Sequence, residues 1–210
     1  MCVSQVAQMT GREEPINQTK DQSITPELNY SSILMNNVFN LKMEPAHLCN
    51  ETETSLVENF FRPPQIFHFM TPDNVKLYGM VYMPFNYVAG KKYPTMLFVY
   101  GGPRAQLVTN AYKINKLSRL NILSLLNYCV VVIDSRGSDN RGLAFEAYLK
   151  HRMGTVEIND QVLGLEAASK AFGCIDMNRV AIFGWSYGGY MALMGLAQRP
   201  DIFKVIIHFC

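Results

Sequence analysis

The stretch FGWSYGGYMALMGLAQ, residues 183–198, sets Ser186 between two bulky aromatics, Trp185 and Tyr187, and sets those between glycines. An apolar run, RVAIF, leads into it, and a run rich in Ala, Leu and Met follows. A strand is therefore expected to end at the serine and a helix to begin there. At such a junction the chain reverses sharply and the serine takes a strained backbone conformation. Side chains two positions before and after it would collide. Gly184 and Gly188 meet that demand, and Gly189 lets the helix lie close to a sheet. The turn pushes the serine hydroxyl out above the sheet edge. It also leaves the Tyr187 N–H at a helix N-terminus, where the helix dipole favours negative charge. A hydroxyl nucleophile beside an oxyanion donor is the equipment of acyl transfer. That chemistry needs no metal and no cofactor, and none is implied.

Two further strand ends carry chemistry-bearing residues. VYGGP, residues 99–103, closes an apolar run with two glycines and a proline. Alone it reads as a strand-ending turn. In an α/β-hydrolase, however, the loop at this place supplies the second oxyanion donor. VVVIDSRGS, residues 130–138, puts Asp134 at a strand end, on the edge where active sites gather. In that fold the triad acid follows the serine in sequence. Asp134 is therefore read as structural, pairing with Arg136 or capping a turn.

These motifs need a framework, and the rest of the sequence provides one. From Ile66 onward, apolar runs of strand length alternate with stretches of helical periodicity. IFHFM and VKLYGMVYM, joined by the turn TPDN, read as an antiparallel entry into a sheet. PTMLFVY, YCVVVID, RVAIFGW and KVIIHF read as buried strands. INKLSRLNILSLLN, LAFEAYLKHR, INDQVLGLEAASKAF and YMALMGLAQR read as helices. The fold class is α/β, with a mainly parallel sheet and helices on both faces. Residues 61–210 form this part. Residues 1–60 are polar, weakly periodic and poorly defined, and FRPPQ reads as a linker after them.

Composition excludes several classes. Charged residues make up 17% and the net charge is +2, with no Lys/Arg run, so nucleic acid is not an expected partner. The apolar stretches are too short to span a membrane, and the first residues do not form a signal peptide. Five scattered cysteines (Cys2, Cys49, Cys129, Cys174 and Cys210) suggest neither a disulfide framework nor a zinc site. They fit thiols in a reducing compartment.

Together, VYGGP, DSRGS and GWSYGGY resemble the prolyl oligopeptidase group of α/β-hydrolases, peptidase family S9. PPQIFHFMTPDNVKLYGMVYMP, GKKYPTMLFVYGGP and MGTVEINDQVLGLEAA resemble the dipeptidyl peptidase IV family, most nearly its cytosolic members, dipeptidyl peptidases eight and nine. The likeness runs from about residue 62 to 205. It implies that Ser186 is the nucleophile and that the Tyr187 N–H and the Tyr100 hydroxyl form the oxyanion hole. It further implies release of N-terminal Xaa-Pro dipeptides, a peptide substrate, a homodimer and a cytoplasmic location. In the family a β-propeller precedes the hydrolase domain, and residues 2–11 resemble its tail.

The chain also departs from that pattern. A serine hydrolase needs a histidine to take the serine proton and an acid to orient it, in the order Ser, Asp, His. After Ser186 come one acid, Asp201, and one histidine, His208. QRPDIF reads as a connection at the far end of the sheet, and His208 lies within a strand. Neither fits a triad role, and His47, His68 and His151 stand in no motif. The expectation is a partial hydrolase sheet whose last strands, triad Asp and His and proline pocket are missing. Such a chain is expected to be inactive alone. The alternative is a non-catalytic module, or pseudoenzyme fragment, pairing with another hydrolase chain.

Overall fold

The computed structural model describes residues 5–9, 41–45, 62–111 and 114–209. Two compact units are present, Met1–Asn59 and Phe60–Cys210. In the first, β1 (Gln5–Met9) pairs antiparallel with β2 (Leu41–Pro45). Apart from these two strands, the expected propeller tail and the segment before residue 61 lie outside the described residues.

The second unit is a six-stranded sheet with helices on its two faces. Its elements are β3 (Gln65–Met70), β4 (Lys76–Tyr82), β5 (Tyr93–Val99), α1 (Ile114–Leu125), β6 (Cys129–Asp134), α2 (Leu143–Glu146), a 3-10 turn (Ala147–Leu149), α3 (Val156–Phe172), β7 (Ile175–Trp185), α4 (Tyr187–Gln198) and β8 (Phe203–Phe209). The strand order is β3-β4-β6-β5-β7-β8. β3 and β4 form the antiparallel entry, and β4 also runs antiparallel to β6. The pairs β6–β5, β5–β7 and β7–β8 are parallel, so their C-terminal ends open on one edge.

Strand alternation sorts the apolar residues into two cores, one per face. Leu77, Val81, Leu97, Val131, Ile133 and Ile182 join the cluster that also holds Ile158, Leu165, Met191 and Ala192 of α3 and α4. Met80, Tyr82, Met96, Val130, Val132 and Phe183 join the cluster that holds Leu120 of α1. A strand covered on both faces reads as a nearly continuous apolar run, and β6 is buried throughout, apolar up to Asp134 at its end.

Several elements differ from the sequence reading. α3 starts at Val156, two residues before the expected Ile158, and α4 starts at Tyr187 rather than Tyr190. LAFEAYLKHR does not make one helix. It gives one α turn and one 3-10 turn, and the chain then bends at His151, whose φ is 61°. β7 begins at Ile175, four residues before the expected start. The irregular register beside Tyr93 and Thr95 absorbs the added length.

Candidate active site

Ser186 sits between the last residue of β7 and the first of α4, exposed to solvent, with φ 56° and ψ −120°. A non-glycine residue seldom holds positive φ unless its surroundings enforce it. Here they do. The Ser186 N–H donates to the Phe209 carbonyl of β8 at 2.8 Å. The Ser186 carbonyl accepts from Gly189 and Tyr190 at 2.8 and 3.2 Å, closing the first turn of α4.

The three glycines around it are close-packed against backbone. A Cβ on Gly184 would lie 2.0 Å from the Gly188 carbonyl oxygen, and one on Gly188 would lie 2.2 Å from that of Val99. A Cβ on Gly189 would lie 2.6 Å from that of Phe209. None of these neighbours is a flexible side chain. The glycines thus wedge the start of α4 between the ends of β5 and β8.

Tyr100 follows β5 directly, and the β5–β7 pairing sets Val99 opposite Gly184. The Tyr100 and Tyr187 rings are tilted at 40° to each other with centroids 6.0 Å apart. Gly102 makes room for both, since a Cβ there would lie 2.8 Å from Tyr187 Cδ1 and 2.9 Å from Tyr100 Cε1. The Tyr187 N–H, at the first position of α4, is one of the helix-start donors with no intrahelical acceptor. The structure thus brings Ser186, Tyr187 and Tyr100 to one sheet edge. Such a constellation can present a hydroxyl beside donors suited to an oxyanion.

Asp134 also ends at this edge. Its carboxylate accepts from the backbone N–H groups of Leu107 and Val108, both at 2.9 Å. It therefore ties down the loop that starts with VYGGP. Arg136 makes a planar pairing with the buried Asp160 and reaches Asp73 at 2.7 Å. Burial pushes the Asp160 carboxyl up, against the lowering pull of Arg136.

The residues after the serine are placed differently. Asp201 lies before β8, at the opposite end of the parallel strands, where Arg199 holds it at 2.7 and 2.9 Å. His208 is an exposed residue of β8 paired in register with Gly184. His68 and His151 are exposed, and His47 lies outside the described residues. Among the described residues, no group of three or more His, Cys, Asp and Glu comes together as a metal site. None of the described helices is long and apolar enough to cross a membrane.

Sequence reasoning missed one group here, Glu157. It is fully buried in the first turn of α3 and accepts from the Tyr187 hydroxyl at 2.7 Å and from the Gly154 N–H at 2.9 Å. Burial, with this bond to a carboxylate, pushes the Tyr187 phenol well above its ordinary value. The signal was faint: Glu157 and Asp160 lie three apart on one helix face, but VEINDQVLGL also holds the polar Asn159 and Gln161.

Comparison with known proteins follows the same lines. Residues 115–209 match the model of the prolyl oligopeptidase family, Peptidase_S9. The chain belongs to this family. It is 49% identical over 169 residues to dipeptidyl peptidase 8 of Mus musculus, covering 78% of this chain and 19% of that protein. It is 54% identical over 147 residues to dipeptidyl peptidase 8 of Homo sapiens, covering 70% and 16%. A crystal structure from Bacteroides ovatus ATCC 8483, attributed to a dipeptidyl aminopeptidase IV, superposes with a TM-score of 0.63 at 36% identity, covering 68% of this chain and 20% of that one. The chain spans about a fifth of the length of the relatives it matches. The likeness includes the α/β-hydrolase fold expected from the sequence.

Proposed function

We propose that these residues carry the nucleophile-bearing part of a serine dipeptidyl peptidase that releases Xaa-Pro dipeptides from peptide N-termini. Ser186 attacks the scissile carbonyl. The Tyr187 N–H and the Tyr100 hydroxyl hold the oxyanion of the tetrahedral intermediate, which then collapses and expels the amine. The observation that carries this reading is the strained, exposed Ser186 at the β7–α4 junction, with Tyr187 and Tyr100 beside it. The family membership supports the reaction class. The Xaa-Pro preference, a homodimeric state and a cytosolic location are carried by the resemblance to the cytosolic dipeptidyl peptidases. The free thiols of Cys129 and Cys174, with sulfurs 3.3 Å apart, fit a reducing compartment.

Ser186 also needs a general base. Asp201, the acid between Ser186 and His208, is tied to Arg199 away from this edge, and His208 lies within β8, paired in register with Gly184. We propose that the base comes from outside this stretch and that the 210-residue polypeptide does not turn over substrate by itself. A fluorophosphonate probe tests both parts. The natural polypeptide containing FGWSYGGY is expected to be labelled at Ser186 and to cleave an Ala-Pro anilide, and S186A to do neither. Labelling of the 210-residue polypeptide alone would overturn the proposed outside base. An unlabelled natural polypeptide would overturn the hydrolase reading.

A further inference from the structure

We infer that Glu157 is the positioning residue of the oxyanion site, holding Tyr187 of α4 and spacing the VYGGP loop from one buried carboxylate between them. The inference rests on the hydrolase reading above and adds to it a residue outside the serine and tyrosine motifs. Four observations converge on it. The Tyr187 hydroxyl donates to one carboxylate oxygen at 2.7 Å. The other oxygen accepts from the Gly154 N–H at 2.9 Å, while the Gly154 carbonyl accepts from Gln198 at the far end of α4 at 2.6 Å. The Glu157 Cβ lies 3.7 Å from the place of a Cβ on Gly101, so its stem lies beside the loop that carries Tyr100 and would meet any side chain there. Finally, Glu157 is fully buried.

A buried carboxylate is costly unless donors satisfy it, and it then fixes those donors firmly. Glu157 lies in the first turn of α3, where the helix dipole favours an anion. Tyr187 alone among its neighbours contributes both a backbone donor beside Ser186 and a side-chain donor to Glu157. Fixing the phenol fixes the ring, and fixing the ring limits rotation of the peptide whose N–H faces the oxyanion. Fixed donors need no reorganisation when charge develops, which is the source of their effect on the barrier. The role is therefore to place a donor, and Glu157 itself touches no reacting atom.

The test is a double-mutant cycle in the natural polypeptide that contains these residues. E157Q keeps the shape but turns one acceptor into a donor, and Y187F removes only a hydroxyl. Each is expected to lower kcat about tenfold with KM changed less than about twofold, the pattern of an interaction felt mainly in the transition state. The double variant is expected to match the worse single one, because Glu157 acts through Tyr187. Losses that multiply, or E157Q at the wild-type kcat, would overturn the inference. So would a rise in KM without a fall in kcat. If E157Q does not fold, Y187F alone decides: a wild-type kcat overturns the inference and a tenfold fall with KM unchanged supports it. A wild-type polypeptide that neither reacts with the probe nor turns over would sink the hydrolase reading itself, and the role of Glu157 with it.

Discussion

Ser186 shows how much one residue's surroundings can specify. Its backbone conformation is unfavourable, yet the sheet, the helix start and three glycines leave no other. The glycines were legible in the sequence because the collision they avoid is local. What Gly188 and Gly189 meet was not, because Val99 and Phe209 are adjacent to them only across the sheet. This contrast gives a graded prediction. G188A places a methyl 2.2 Å from a backbone oxygen in the middle of the sheet edge, where nothing can move aside. It should destabilise the protein by about 3 kcal/mol or more, at the top of the range for overpacked sites. G90A meets nothing within 4 Å and carries only the strain of its positive φ of 80°. It should cost only about 1 kcal/mol. Urea unfolding of both variants checks the ranking, and equal costs would mean that backbone strain outweighs crowding.

Elements were legible where periodicity ran unbroken and were misjudged where it did not. β5 and β6 are nearly continuous apolar runs, broken at Thr95 and ended by Asp134, so they could be read directly. The 143–152 segment looked helical from its composition. In the structure Gly142 at φ 88° and His151 at φ 61° bound it within two turns; a glycine signals such a conformation in the sequence, but a histidine does not. Asp134 is the informative element-level case. A structural role could be argued from its place before the serine. Its partners could not, because they are backbone N–H groups 26 and 27 residues away. Removing that carboxylate leaves two amides without their acceptor, at roughly 1–3 kcal/mol each in a buried setting. D134A should therefore lower stability by about 3 kcal/mol and speed hydrogen exchange at Leu107 and Val108 before other amides. Unchanged exchange there would show that the loop is held by other contacts. Glu157 belongs to the same scale, since the carboxylates of VEIND could be read in the sequence while their burial and their partners could not.

At the scale of the whole unit, the sheet separates two cores, and each has a tyrosine whose phenol is pushed up. Tyr82 lies in the α1-side core and is raised to about 12 by burial alone. Tyr187 packs on the α3–α4 side and is raised by burial and Glu157. An unfolded tyrosine titrates near 10. A group whose proton is held more tightly in the folded state contributes stability that is complete below the unfolded value. That contribution is lost as pH rises through the folded one. Between about pH 10 and 12 the unfolded chain releases both protons while the folded unit keeps them, so unfolding becomes easier as the solution grows more alkaline. Lysines titrate in the same window, so wild-type behaviour alone does not isolate the tyrosines, but the difference between proteins does. Y82F should unfold with a shallower dependence on pH between about 10 and 12 than the wild type, and Y187F should show the same relief on the other face. If Y82F keeps the wild-type slope, its hydroxyl is reached by solvent and the α1-side core is looser than its packing implies. If the two reliefs add, the cores are energetically independent across the sheet. A shortfall in the double variant would mean that loosening one face already lets water to the other.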